Sequence, residues 1–126
     1  MGKAEEAVAY KNNGYNCCQS VIKAFAEEAG LSDDMVRKLG AGFAGGMGGM
    51  EGTCGALCEA QMVLGIMTYE GRPIGKKARA LHDGFREACG GASICKVLKG
   101  RETGVELCSC DDCVKNAAKV LEELLF

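Results

Sequence analysis

The run from Gly45 to Gly65, GGMGGMEGTCGALCEAQMVLG, sets a glycine-saturated segment directly before a cysteine and an apolar stretch. Eight of the sixteen residues from Gly40 to Gly55 are glycine, too many for the interior of a helix or strand. From Thr53 the character reverses: Leu57, Met62 and Leu64 recur among alanines, which predicts an apolar, central helix ending around Gly71. Pro73 is the single proline, β-branched runs are few, and Ala, Leu, Glu and Lys dominate the periodic segments, so the whole chain reads as all-α.

Working outward, helices are expected over Lys3–Asn12, from the N-cap Asn16 to Gly30, and from Ser32, followed by Asp33 and Asp34, to the glycines at Gly40. Beyond the central helix, Pro73 suits the first turn of a helix whose stripe of Ile74, Ala78, Leu81, Phe85 and Cys89 runs to Gly90 and Gly91. Ser93 caps a brief turn, SICKVLKG, and Ser109 with Asp111 and Asp112 opens the last helix, with Cys113, Ala117, Val120, Leu121 and Leu124 on one face. The expectation is one domain, residues 1–126: a bundle of about five to six helices with a glycine-rich internal loop.

Hydrophobic residues make up 48% and charged ones 25%, too apolar for disorder. A net charge of −2 leaves no basic excess for phosphate contacts, which argues against nucleic acid as a partner. The opening MGKAEEAVAYKNNGYN lacks the apolar core of a secretory signal. No segment approaches the ~20 apolar residues that span a bilayer, so the expected location is cytoplasmic, away from the membrane.

Glycine loops before helices cradle phosphates, but this one leads to GTCGAL, without the Walker lysine or a preceding strand. It reads instead as a side-chain-free wall, with Gly49, Gly52, Thr53 and Gly55 beside a cofactor that the backbone approaches closely. Nine cysteines supply the chemistry for such a centre. The odd number and the absence of an export signal favour reduced thiols over a disulfide framework.

Four of these cysteines lie in the first turns of separate helices: Cys17 after Asn16, Cys54 after Thr53, Cys95 after Ser93, and Cys113 after Ser109. Free amides and the partial positive charge at a helix N-terminus stabilise a thiolate there. With the intervening helices as return elements, an antiparallel bundle would gather all four at one end. Cys58, one turn beyond Cys54, and the Cys108, Cys110, Cys113 cluster supply further candidate ligands. Cys17 and Cys18 are expected on different faces, so that one of them meets the site. Cys89 alone reads as a small hydrophobe and His82 as a solvent-facing side chain.

The segments GYNCCQSVIKAFAEE, GFAGGMGGMEGTCGAL, ASICKVL and CVKNAAKVLEELL together resemble the C_GCAxxG_C_C family of redox-active proteins, itself similar to part of the split-Soret cytochromes. The likeness runs from about Asn13 to Leu125, and the family's cysteines fall on Cys17, Cys54, Cys95 and Cys113. The chain departs from the pattern where Glu59 replaces the last glycine of the motif, and Cys18, Cys58, Cys89, Cys108 and Cys110 are additional thiols. Without a Cys-x-x-Cys-His sequence, covalent c-type haem is not supported.

The resemblance implies redox activity and, through the cytochrome relatives, an iron–sulfur centre. The leading expectation is therefore a [2Fe–2S] centre on Cys17, Cys54, Cys95 and Cys113, serving electron transfer with a redox partner protein or redox sensing. The alternatives are a metal-free thiol–disulfide oxidoreductase with Cys54 as nucleophile, a structural zinc site, and a non-catalytic helical scaffold. Apolar stripes on several short helices are compatible with a homodimer.

Overall fold

The computed structural model describes residues 2–126, and among them the fold is all-helical. In chain order the helices are α1 (Lys3–Lys11), α2 (Cys17–Ala24), α3 (Ala26–Ala29), α4 (Asp33–Gly40), α5 (Ala44–Met47), α6 (Gly55–Thr68), α7 (Gly75–Ala88), α8 (Cys95–Leu98) and α9 (Cys110–Leu125). These nine exceed the expected five to six because α3, α5 and α8 are four-residue turns.

Local chemistry accounts for most of the boundaries. Asn16 and Gln19 form a complete capping box at α2, each side chain accepting from the other's backbone amide. Phe25, at φ −109° and ψ 7°, breaks the helix, and α3 continues it for one turn to a left-handed Gly30. Ser32 and Ser109 accept the amides of Met35 and Asp112, so α4 and α9 start as the sequence predicts.

Three expected starts shift. The N-cap of α6 is Cys54, with Thr53 outside it; that of α8 is Ile94, with Ser93 outside; and α7 begins at Gly75, beyond Pro73. At the first two, pairing between loops overrides the side-chain cap. Thr53 and Ile94 form an antiparallel bridge, with Cys54 N–H donating to Ser93 O at 2.7 Å and Cys95 N–H to Gly52 O at 3.0 Å. The backbone around both expected starts is thereby committed to the opposite loop.

Helices α2, α6 and α9 pack on one another; α1 lies against α2 and α9, α7 against α6 and α9, and α4 against α2. Val21, Ile22 and Phe25, Leu57, Val63 and Leu64, Leu81 and Phe85, and Val114 and Leu121 fill the space between them. No helix among the described residues is long and apolar enough to cross a membrane.

The glycine run adopts a fold that few other residues could follow. Gly45, Gly46, Met47 and Gly48 have φ of 69°, 61°, 63° and 87°, a left-handed turn inside the segment labelled α5. Gly46 there presses on α8, where an added methyl would stand 2.5 Å from the Cys95 Cβ. A methyl at Gly55 would overlap the Cys18 sulfur and lie 2.8 Å from Phe43 O. The loop is therefore a spacer of minimal thickness between cysteine-bearing helix starts.

Candidate functional site

Cys17 and Cys95 are the first residues of α2 and α8, Cys54 is the N-cap of α6, and Cys113 lies at the start of the second turn of α9. The Thr53–Ile94 bridge holds the Cys54 and Cys95 starts side by side. Cys113 is the group that acts most strongly on the Cys54 thiol, and the Gly45 amide is among those that act on Cys17.

The tightest grouping is a different one. The sulfurs of Cys89, Cys108 and Cys113 lie within 4.8 Å of one another, all buried. Cys89 caps the C-terminus of α7, and Cys108 is in the loop just before the α9 cap. Cys54, also buried, is the further thiol that Cys113 influences. Asn116 Nδ2 lies 3.4 Å from the Cys89 sulfur and 3.8 Å from that of Cys108, holding the two together from α9.

One cation serves this cluster. Lys99 Nζ donates to Cys108 O at 2.8 Å and sits 3.6 Å from the Cys113 sulfur. Burial works against its charge, yet the surrounding cysteines, Cys113 first among them, hold its pKa above the usual lysine value. The Cys113 thiol is eased downward by Cys54, but Cys89 and burial outweigh that and leave it raised.

Helix-start placement does not by itself activate Cys54. Cys113 and burial push its thiol well above the ordinary range, against the lowering by the Ala56 and Leu57 amides. Cys17 is the thiol that is lowered, to about 6, by the Cys18 thiol first and then by the amides of Gly45 and Cys18 and the Lys99 charge. Its sulfur is 3.7 Å from that of Cys18, so the two do not point to different sides as expected. The first turn of α2 rotates both sulfurs into one notch between the glycine loop and α6.

The remaining candidates are peripheral to the cluster. Cys58 is half-buried with its sulfur 3.8 Å from Thr53 O; Cys110 is exposed; and Gly52 accepts the Cys95 amide. Gly49 makes no close approach, with nothing within 4 Å of a Cβ placed there. His82 is exposed and paired with Asp83 at 3.1 Å. Cys89 and Lys99 escape sequence reasoning because neither sits in a motif; only the packing of α7 and α8 beside α9 brings them in.

Glu59, which the sequence marks only as a departure from the family pattern, is the other such feature. It is 0% exposed, and neither carboxylate oxygen has a hydrogen-bond partner. Burial, with the Cys17 charge adding to it, pushes the carboxyl up to about 7.

A family model described as "Putative redox-active protein (C_GCAxxG_C_C)" matches residues 15–124, and the chain belongs to that family. No curated protein and no solved structure matches it.

Proposed function

We propose that this member of the C_GCAxxG_C_C redox family carries a thiolate-bound metal centre of redox function, an iron–sulfur centre of the [2Fe–2S] type, with Cys54, Cys89, Cys108 and Cys113 as ligands. One observation carries the reading: three buried sulfurs, those of Cys89, Cys108 and Cys113, lie within 4.8 Å of one another. Thiolates bound to one tetrahedral metal at ~2.3 Å stand about 3.8 Å apart, near the spacing of these three sulfurs, whereas a two-iron cluster, with two thiolates on each iron, asks one of them to swing outward. Burial, which raises the free Cys54 and Cys113 thiols, ceases to oppose their thiolates once a cation takes the place of the protons.

An iron–sulfur group supplies one-electron transfer. The chain's own residues set its surroundings. Lys99 offsets negative charge at Cys113 and Cys108 O, and Asn116 donates toward the Cys89 and Cys108 sulfurs, two influences that raise the potential of a thiolate-bound centre. The apolar packing of α6, α7 and α9 excludes water.

The test is anaerobic purification followed by iron and sulfide analysis, optical spectra and electron paramagnetic resonance. Iron and sulfide in stoichiometric amounts, lost in Cys89→Ser and Cys108→Ser and retained in Cys17→Ser, is the expected result. Stoichiometric zinc in colourless protein overturns the iron reading, and protein that takes up no metal on reconstitution overturns the centre itself. Metal lost in Cys17→Ser and Cys95→Ser but kept in Cys89→Ser would return the ligand set to the four family cysteines.

A further inference from the structure

Positive charge is unevenly spread over this chain. Between Arg72 and Gly91 five cations, Arg72, Lys76, Lys77, Arg79 and Arg86, stand against two acids, Asp83 and Glu87, although the net charge of the whole is −2. All five are exposed, and among the described residues none of them takes part in an ion pair. Elsewhere the chain does pair its cations: Lys3 with Glu28, Lys11 with Asp111, Lys23 and Arg37 with Asp33, and Lys96 with Glu102. Like charges one turn apart on a helix repel one another, so the gathering on α7 favours a counter-charge from outside the chain.

The cations also have a direction. Leu81 and Phe85 turn one face of α7 into the core, and Lys76, Arg79 and Arg86, spaced by three and seven residues, fall on the opposite face. From Lys76 to Arg86 this stripe is ~15 Å long. Asp83, the acid within it, has His82 Nδ1 at 3.1 Å, and Glu87 lines the groove toward α9 instead. At the end of the stripe Arg86 Nη2 donates to Gly91 O at 3.2 Å, and a Cβ at Gly90 would stand 3.5 Å from the Leu107 Cβ. The stripe therefore runs into an apolar side chain, Leu107, that is 43% exposed, with the 61% exposed Val105 two residues away. Cys89 and Cys108 are the chain neighbours of Gly90 and Leu107.

We propose that this face of α7, ending on Leu107, is the docking surface for an acidic electron-transfer protein. That the partner carries electrons rests on the metal centre proposed above; that it is acidic rests on the stripe. Complementary charge steers the encounter and rejects basic partners, while an apolar patch beside charged residues supplies the contact itself. A stripe of this length suits the small, transient interfaces of redox encounters, which bury less than ~1,200 Å². Docked there, the partner covers the segments that carry Cys89 and Cys108.

The probe is an acidic plant-type ferredoxin titrated against the full chain as purified. Binding should weaken severalfold between ~0.01 M and ~0.1 M salt, as the screening length falls from ~30 to ~10 Å. Lys76→Glu and Arg79→Glu should each weaken it roughly fivefold at low salt, the scale of an exposed attraction exchanged for a repulsion. Lys115→Glu, the same charge change on α9, should leave it unchanged. Carbodiimide, which joins lysine amines to carboxylates in contact, should link the ferredoxin at Lys76 and Lys77. Absence of binding at low salt, equal weakening by Lys115→Glu, or cross-links confined to other lysines would overturn the proposal. Phosphatidylglycerol vesicles that bind more tightly than the ferredoxin, and lose their hold in Arg79→Glu, would assign the face to an anionic membrane and overturn it too. None of these measurements requires a metal. Iron-free protein that still docks the ferredoxin through Lys76 and Arg79 counts against the metal centre alone, and iron-loaded protein that does not dock counts against the docking surface alone.

Discussion

Cys17 and Cys54 both stand at helix starts, the one as first residue and the other as N-cap, yet their thiols move in opposite directions. Cys17 receives the Cys18 thiol, two amides and the Lys99 field, whereas Cys54 is enclosed and pushed up by Cys113. Labelling with iodoacetamide across pH should therefore give Cys17 an inflection near 6, and Cys54 should resist labelling throughout. An inflection for Cys17 close to that of a free thiol, ~8.5, would refute the microenvironment described for it. Glu59 makes an opposite, stability-linked prediction. Its folded-state pKa, about 7, is raised above the ordinary carboxyl value, so native stability from this group is full at low pH and is lost as pH rises from ~4.5 through 7. Glu59→Gln should match the native protein near pH 4.5 and exceed it by about 2–3 kcal/mol above pH 8, read from urea melts at both pH values. Equal stability at both would mean that the buried carboxylate is compensated.

Among the elements, α2 and the glycine loop are the ones on which cysteine placement depends. The Asn16 side chain accepts the amides of Cys18 and Gln19, so it orients the cysteine pair as it starts the helix. Asn16→Ala should cost ~1 kcal/mol in urea midpoint stability and also slow Cys17 labelling at pH 7. A stability loss with unchanged labelling would separate the cap from the thiol. Gly46→Ala strains a left-handed backbone and drives a methyl toward Cys95, so the expected cost is larger, about 2–3 kcal/mol. Gly49→Ala, where a Cβ meets nothing within 4 Å, should be nearly silent. The same melts check both.

At the scale of the molecule, the proposed metal centre ties α6, α7, α9 and the loop before α9 together through Cys54, Cys89, Cys108 and Cys113. A ligand that binds only the folded chain stabilises it by mass action, ~2.7 kcal/mol at a hundred times its dissociation constant. Removing metal from the purified holoprotein with a chelator should lower Tm by several degrees and uncap the four thiols to alkylation. An unchanged Tm with the metal gone would mean that the centre is no fold determinant.

Much of this was readable from residue order. Helical periodicity, the Asn16, Ser32 and Ser109 caps and the apolar run after Thr53 are local signals, and local energetics decide where helices lie. The family likeness likewise is read from short segments spread over residues 15–124. The loop pairing that replaces Thr53 and Ser93 as caps joins positions some forty residues apart, and no single-segment signal encodes it. The same holds for the thiols. Sequence alone established an all-helical, cysteine-rich redox chain with cysteines at helix starts. Tertiary structure alone decided that Cys89 and Cys108 join Cys113, that Lys99 stands beside them, that Cys18 shares a notch with Cys17, and that Glu59 lies buried without a partner. The reason is physical: a thiol's company and a carboxyl's solvent depend on which helices pack together, and packing is a property of distant residues meeting.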